Sequence, residues 1–356
     1  MTIEQLYHLY LQYPSVQTDT RSLKSGDIFF ALKGPNFNAN TFAEQALQKG
    51  AAYIVADEQL FEPNEKIIIV EDVLQTLQDL AKFHRSQFTI PFIGITGSNG
   101  KTTTKELVHT VLSSQYICYT TKGNLNNHIG VPLTILSIKQ DAEMAVIEMG
   151  ANHLREIAGY CEYAMPTHGI ITNCGKAHLE GFGGIEGVRK GKGELYDYLR
   201  AHDGSAFVMW DYDYLREMSH DIREIITYGT ADAKFTGVAD KSSTFLEISM
   251  RSGTSIEQIH TQLVGDYNLP NVLVAVAAGK YFGIADDTIR KAIEGYAPSN
   301  SRSQLIEQRG AKIILDAYNA NPSSMKAAIE NFSGIAGDKK MLVLGAMAEV
   351  GTESIK

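Results

Sequence analysis

The residues best suited to chemistry lie in one short stretch, Gly97-Ser98-Asn99-Gly100-Lys101-Thr102-Thr103. The apolar run Phe92-Ile93-Gly94-Ile95-Thr96 precedes it and reads as a strand, and a helix follows. A strand, a glycine-bearing turn and a helix start aim backbone N–H groups at a phosphate, and the helix terminus adds favourable partial charge. Lys101 can then reach the terminal phosphates of a nucleotide, and the Thr102 hydroxyl is placed for Mg²⁺. The standard pattern has its first glycine at position 95, where this chain has Ile95. A chance Gly-Lys-Thr at a strand-to-helix turn is the competing reading. Gly97 and Gly100, flanking the turn, favour phosphate binding, with ATP and Mg²⁺ as the expected cofactors.

A phosphate loop of this kind needs a carboxylate near the metal, at the end of a neighbouring strand. Glu148 occupies such a place in Ala145-Val146-Ile147-Glu148-Met149, and Gly150 after it permits close approach. His178 follows another strand end, in Asn173-Cys174-Gly175-Lys176-Ala177-His178. Taken alone, Glu148 could be a solvated strand-end glutamate and His178 an incidental loop histidine. Lys192, in Lys190-Gly191-Lys192-Gly193-Glu194, reads on its own as a surface charge in a basic helical stretch.

The elements that must position these residues alternate. In the first part of the chain, strands are expected at 28–32, 52–55 and 67–70, with helices over 41–49 and 73–88. Pro91 then opens a new pattern of short buried-type strands and helices, with strands at 145–149 and 169–173. Strands of a mostly parallel sheet that end in polar residues carry ligands at their carboxyl edge. The stretch 207–256 reads as less regular strand pairs, and helices are expected over 268–281 and 287–294. Pro298-Ser299-Asn300-Ser301 reads as a linker. Strands at 312–315 and 340–344, with a helix between, complete the chain. The fold class is therefore α/β, with expected domains at 1–90, 91–297 and 298–356.

At 356 residues the chain exceeds one ordinary core. Its net charge of -9, with no block of like charges, argues against nucleic acid as a partner. Three cysteines, without paired spacing, argue against a disulfide framework or a thiolate zinc site and for a reducing compartment. No signal peptide pattern and no bilayer-length apolar stretch is present, so a cytoplasmic protein without membrane insertion is expected, as a monomer.

The variant loop Thr96-Gly97-Ser98-Asn99-Gly100-Lys101-Thr102-Thr103 closely resembles that of the Mur ligase superfamily. This superfamily includes the amino-acid-adding enzymes of peptidoglycan synthesis and the folylpolyglutamate synthases. The resemblance implies three domains: a UDP-substrate domain, a central P-loop ATPase with a mostly parallel sheet, and a Rossmann-like C-terminal domain. It also implies metal ligation by Thr102, Glu148, His178 and Lys192, the lysine as a carbamate. Lys101, His178 and Lys192 are then the catalytic set. Asn268 and Asn271 match the adenine-side motif, while Arg302 and Asp316 match residues that close on ATP.

Further matches imply substrate contacts. Thr20 and Arg21, in Thr18-Asp19-Thr20-Arg21, resemble the Ser/Thr-Arg pair at a uridine diphosphate pocket. Asn38-Ala39-Asn40 departs from the Asp-Gly-His more usual nearby. Asn124, Asn126 and Asn127 resemble the loop that meets the muramoyl-peptide, although an Asn-rich turn before a strand is their plain reading. Tyr318-Asn319-Ala320-Asn321-Pro322 resembles the motif of those family members that join D-alanyl-D-alanine to UDP-N-acetylmuramoyl-tripeptide. Members that add the third amino acid carry Tyr-Ala-His there instead. Asn319 and Asn321 are accordingly expected at the substrate.

The implied reaction is ATP-driven amide formation through an acyl phosphate. Two alternatives stay open at this point: ligation of the third amino acid to UDP-N-acetylmuramoyl-dipeptide, and a nucleotide-binding protein without ligase activity. The second arises because the stretch 298–356 is short for a domain that must bury its own core, so a truncated C-terminal domain is expected.

Overall fold

The apolar runs become parallel strands in a computed structural model that describes residues 1–59, 64–240, 245–299, 301–335, 337 and 339–347. Two compact units share the chain. One combines Met1–Ile90 with Thr121–Ala142 and Gly159–Met165, and the other combines Pro91–Thr120, Glu143–Ala158 and the chain from Pro166 onward.

In the first unit, strands β1 (Val16–Gln17), β2 (Ile28–Phe30), β3 (Tyr53–Ala56) and β4 (Ile67–Ile69) lie side by side in that order, all parallel. Helices α1 (Ile3–Gln12), α2 (Ala43–Gln48) and α3 (Val73–Arg85) accompany them. Local chemistry explains where the helices begin. Thr2 and Gln5 form a capping box at α1, and Asp72 accepts a bond from the Gln75 N–H at α3. Lys82 and Arg85 in the last turn of α3 suit the negative end of its dipole. Small side chains (Ala31, Ala43, Ala46, Ala51) let α2 lie close to Phe29 and Ile54 in one core.

The second unit is built on nine strands: β5 (Phe92–Thr96), β6 (Cys118–Thr120), β7 (Met144–Glu148), β8 (His168–Ile171), β9 (Ser205–Met209), β10 (Glu224–Gly229), β11 (Phe235–Asp240), β12 (Phe245–Ser252) and β13 (Gln258–Val264). Their spatial order is β13-β12-β11-β10-β9-β8-β5-β7-β6. Pairing is parallel from β6 across to β11, and β12 and β13 close the far edge antiparallel. Every residue of β5 and β7 is buried, as a parallel sheet covered on both faces requires.

The stretch 207–256 belongs to the far half of this sheet, with an unexpected helix at Asp213–Met218 between two strands. Its antiparallel pairing is less regular, with register shifts at Thr236/Gly237 and Phe245/Glu247. Strand β12 buries alternate residues, as a strand with one covered face does.

Helices α4 (Lys101–Ser113), α5 (Ile185–Ala201), α6 (Leu269–Tyr281) and α7 (Asp286–Gly295) belong to this unit. Farther along, β14 (Gln304–Gln308) and β15 (Ala311–Leu315) form an antiparallel hairpin. Arg309 and Gly310, both at positive φ, make its tight turn. Asn321 then caps α8 (Pro322–Gly334). The strand expected at 340–344 does not form: Met341 to Leu344 are exposed and no ladder pairs them. An apolar run becomes a strand only when a neighbour satisfies its N–H and C=O groups. Among the described residues no helix is long and apolar enough to cross a membrane.

Candidate nucleotide site

The parallel registers bring three strand ends together. Ile95 in β5 is level with Glu148 in β7, and Thr96 in β5 is level with Ile171 in β8. The loops that leave β5, β7 and β8 therefore emerge at one carboxyl edge, carrying the 97–103 loop, Glu148 and the 172–178 segment. These residues, far apart in number, meet because the strand order places β5 between β7 and β8.

The loop requires its glycines. Gly97 has φ +145°, and a Cβ there would collide with the Thr172 hydroxyl. Gly100 has φ +79°, directly before α4, and a Cβ would stand 2.7 Å from Asn271 Oδ1. The loop tip is tied to the β8 side. Ser98 N–H donates to the Asn173 carbonyl (2.9 Å) and Ser98 Oγ donates to the Gly175 carbonyl (2.9 Å). Asn99 N–H donates to Asn173 Oδ1 (3.1 Å), while Thr172 Oγ1 (2.6 Å) and Asn173 Nδ2 (3.1 Å) donate to the Asn99 carbonyl. The first-turn N–H groups of α4 have no intrahelical acceptor and are the donors such a loop offers to an anion.

Lys101 Nζ donates to the loop's own Gly97 (2.7 Å) and Ser98 (3.2 Å) carbonyls. Burial lowers its ammonium below the ordinary lysine range; Glu148 opposes this and Arg302 adds to it. Thr102 Oγ1 donates to Glu148 Oε1 at 3.2 Å, both groups being buried. A hydroxyl and a carboxylate oxygen side by side are the hard donors that Mg²⁺ takes when it is shared with phosphate oxygens. Thr103 is buried in the same turn.

Lys192 is 1% exposed, contrary to its look as a surface charge. On α5 it falls in the buried stripe with Val188, Leu195, Tyr196 and Leu199. Its Nζ donates to the Ala151 carbonyl (2.7 Å) and lies 4.9 Å from the Phe182 ring centre. Burial, and after it the Lys101 charge, lowers Lys192 to about 7. His178 sits at φ +52°, a left-handed position, just before the short helix Leu179–Phe182.

The asparagines expected around the nucleotide are mostly committed inside the protein. Asn271 Nδ2 donates to Asn268 Oδ1 (2.9 Å), and Thr104 Oγ1 donates to Asn271 Oδ1 (3.0 Å). Asn268 Nδ2 donates to the Val264 carbonyl (2.9 Å) and to Ser303 Oγ (3.2 Å). Arg302 stacks on Tyr318 at 3.7 Å, and the Tyr267 hydroxyl lies 3.5 Å from Asp316 Oδ2. Asn319 is exposed and accepts a local bond from the Ala320 N–H. Asn321 is 8% exposed, and both ends of its amide bond within the protein.

The remaining residues of interest belong to the first unit. The Arg21 guanidinium is exposed and pairs with Asp19 (2.6 Å), holding that carboxyl down at about 2. The Thr20 carbonyl accepts from Lys49 (2.7 Å). Asn127 Oδ1 accepts from the Ile129 (3.1 Å) and Gly130 (2.8 Å) N–H groups, starting the helix Gly130–Leu136. The Asn124 carbonyl accepts from the Asn126 N–H (2.8 Å).

Sequence reasoning missed Thr172 and Asn173 as loop partners and Ser323 beside them. The signal was present for the first two, since both are polar residues directly at a strand end.

Fold and site together define an ATP-dependent ligase of the Mur type. The model of the Mur ligase middle domain matches residues 95–279, and that of the Mur ligase glutamate ligase domain matches 301–356. The chain belongs to the Mur ligase family. Among its relatives is the UDP-N-acetylmuramoyl-tripeptide–D-alanyl-D-alanine ligase of Bacillus subtilis, 39% identical over 94% of this chain and 74% of the relative. Two solved MurF structures are similar. That from Acinetobacter baumannii has a TM-score of 0.87 at 31% identity, covering 96% of this chain and 75% of the other. That from Thermotoga maritima, solved in complex with ADP, has a TM-score of 0.85 at 29% identity, covering 97% and 80%.

Proposed function

We propose that this chain joins D-alanyl-D-alanine to UDP-N-acetylmuramoyl-tripeptide at the expense of ATP, in peptidoglycan synthesis. The observation that carries the reading is electrostatic. Burial and then the charge of Arg302 lower Lys101, opposed by Glu148, while burial and then the charge of Lys101 lower Lys192, opposed by Glu156 and Glu194. Like charges that are partly desolvated together are costly unless a polyanion comes between them, and a triphosphate is such an anion.

The peptide carboxylate attacks the γ-phosphorus of ATP, forming an acyl phosphate and releasing ADP. The amine of D-alanyl-D-alanine then attacks the acyl carbon, phosphate leaves, and the nitrogen gives up a proton. The protein's part is positioning and charge neutralisation. Lys101 exchanges its bonds to the Gly97 and Ser98 carbonyls for phosphate oxygens. Thr102 and Glu148 would hold Mg²⁺ together with His178 and Lys192; the ion would supply Lewis-acid neutralisation of phosphate charge. Lys192 at about 7 keeps a neutral fraction near physiological pH, and only the neutral amine adds CO₂ to become a carbamate. Thr20 and Arg21 serve the uridine diphosphate end, Asn124, Asn126 and Asn127 the muramoyl-peptide, and Asn319 the incoming dipeptide. The exposed Arg21 guanidinium is available to a diphosphate.

An acceptor-dependent ADP-release assay tests this. Release with UDP-N-acetylmuramoyl-tripeptide should require D-alanyl-D-alanine, and Lys101→Ala should lower it by about 10²–10³-fold. Release that instead requires UDP-N-acetylmuramoyl-dipeptide with lysine or diaminopimelate would overturn the substrate assignment. Full turnover by Lys101→Ala would overturn the assignment of the loop.

A further inference from the structure

The first turn of α8 is fastened to the phosphate loop by a chain of amides. Asn321 Oδ1 accepts from the Ser324 N–H (2.9 Å), which caps the helix, while Asn321 Nδ2 donates to Asn99 Oδ1 (2.7 Å) at the loop tip. Asn99 is itself held through its backbone by Asn173. A second tie runs beside the first: the Lys176 N–H donates to Ser323 Oγ (3.0 Å). Gly175 makes room for both, since a Cβ there would stand 3.0 Å from Ser323 Oγ and 3.3 Å from Asn99 Nδ2. One carboxamide thus serves the helix end and the loop tip at once, and it is buried.

We propose that Asn321 is a positioning residue that couples the seat of α8 to nucleotide affinity by clamping Asn99. A loop held in its binding shape loses less freedom when the phosphate arrives, so breaking the clamp weakens binding without touching the ligand. The inference rests on the reading of Gly97–Thr103 as the nucleotide loop.

The test is calorimetric titration of the full chain with AMPPNP and Mg²⁺, paired with thermal melting. Asn321→Ser keeps an oxygen able to cap α8 but is too short to reach Asn99. It should weaken AMPPNP binding about fivefold, the scale of one neutral hydrogen bond, with a single cooperative melting transition retained. Asn99→Ala approaches the same contact from the loop, and the double variant Asn99→Ala/Asn321→Ser should bind no more weakly than Asn99→Ala alone. Wild-type affinity in Asn321→Ser, or effects that multiply in the double variant, would overturn the clamp. Failure of the wild-type chain to bind AMPPNP would overturn the nucleotide-loop reading and the clamp with it, a result distinguishable from the other two.

Discussion

At the scale of residues, burial decides what each titratable group can do. Lys192 and His168 are both pushed toward their neutral forms by desolvation, and they illustrate different uses of that effect. Lys192 is lowered by burial and further by the charge of Lys101. His168 has no such neighbour. Its ring is packed by Tyr281 and Phe282, at 5.4 and 5.1 Å between centroids, and its Nδ1 is 2.8 Å from Thr167 Oγ1. Burial lowers it to about 4, and Glu224 only partly opposes this. The unfolded chain takes up a proton near 6.5, whereas the folded chain does so only near 4, so stability is full above 6.5 and is lost as pH falls between those values. The expected loss is about 2 to 3 kcal/mol at the acid end of that window. Urea denaturation at pH 7 and pH 4 should show it, and His168→Gln should lose correspondingly less over the same interval.

At the scale of elements, close approach sets the demands. Gly97 lets the end of β5 pass the Thr172 hydroxyl, at a φ that other residues avoid. Gly97→Ala should shift the loop by enough to lower ADP release about 100-fold, as small misplacements in a reacting site do. Purified variant protein with wild-type turnover would contradict this. Away from the site, Gly279 on α6 packs against α4 and α7. A Cβ there would stand 2.7 Å from Val111 Cγ1 and 2.8 Å from Ile289 Cδ1. Gly279→Val should therefore cost about 1 to 3 kcal/mol through overpacking. Equilibrium unfolding followed by circular dichroism measures that cost, and an unchanged midpoint would place the helices farther apart than described.

At the scale of the whole molecule, a ligand that binds only the folded chain stabilises it by mass action. AMPPNP with Mg²⁺, at about 100 times its Kd, should add about 2.7 kcal/mol to unfolding of the nucleotide-binding unit. The shift should be much reduced in Lys101→Ala at the same ligand concentration. The net charge of -9 belongs to this scale as well. It sets a repulsive background for polyanions, so a triphosphate can bind only where local cations outweigh it.

The sequence by itself determined the local elements and the loop. Phe92–Thr96, Met144–Glu148 and α6 are legible because an unbroken apolar run, bounded by turn residues, has few other solutions. Gly97, Gly100, Lys101 and Thr102 are legible because their chemistry is local, within one turn of chain. What the sequence could not decide is whatever depends on strand order. Asn99 meets Asn173 and Asn321 only because β5 lies next to β8 and α8 is seated beside both loops. Lys192 turned inward because of the stripe it shares with Leu195 and Leu199, a face that the glycines and charges around it obscured. Conversely, the apolar run at 340–344 found no strand to pair with among the described residues. Apolar character and periodicity are properties of a segment, whereas burial, hydrogen-bond partners and shifted charges are properties of its neighbours, and only the tertiary structure supplies those.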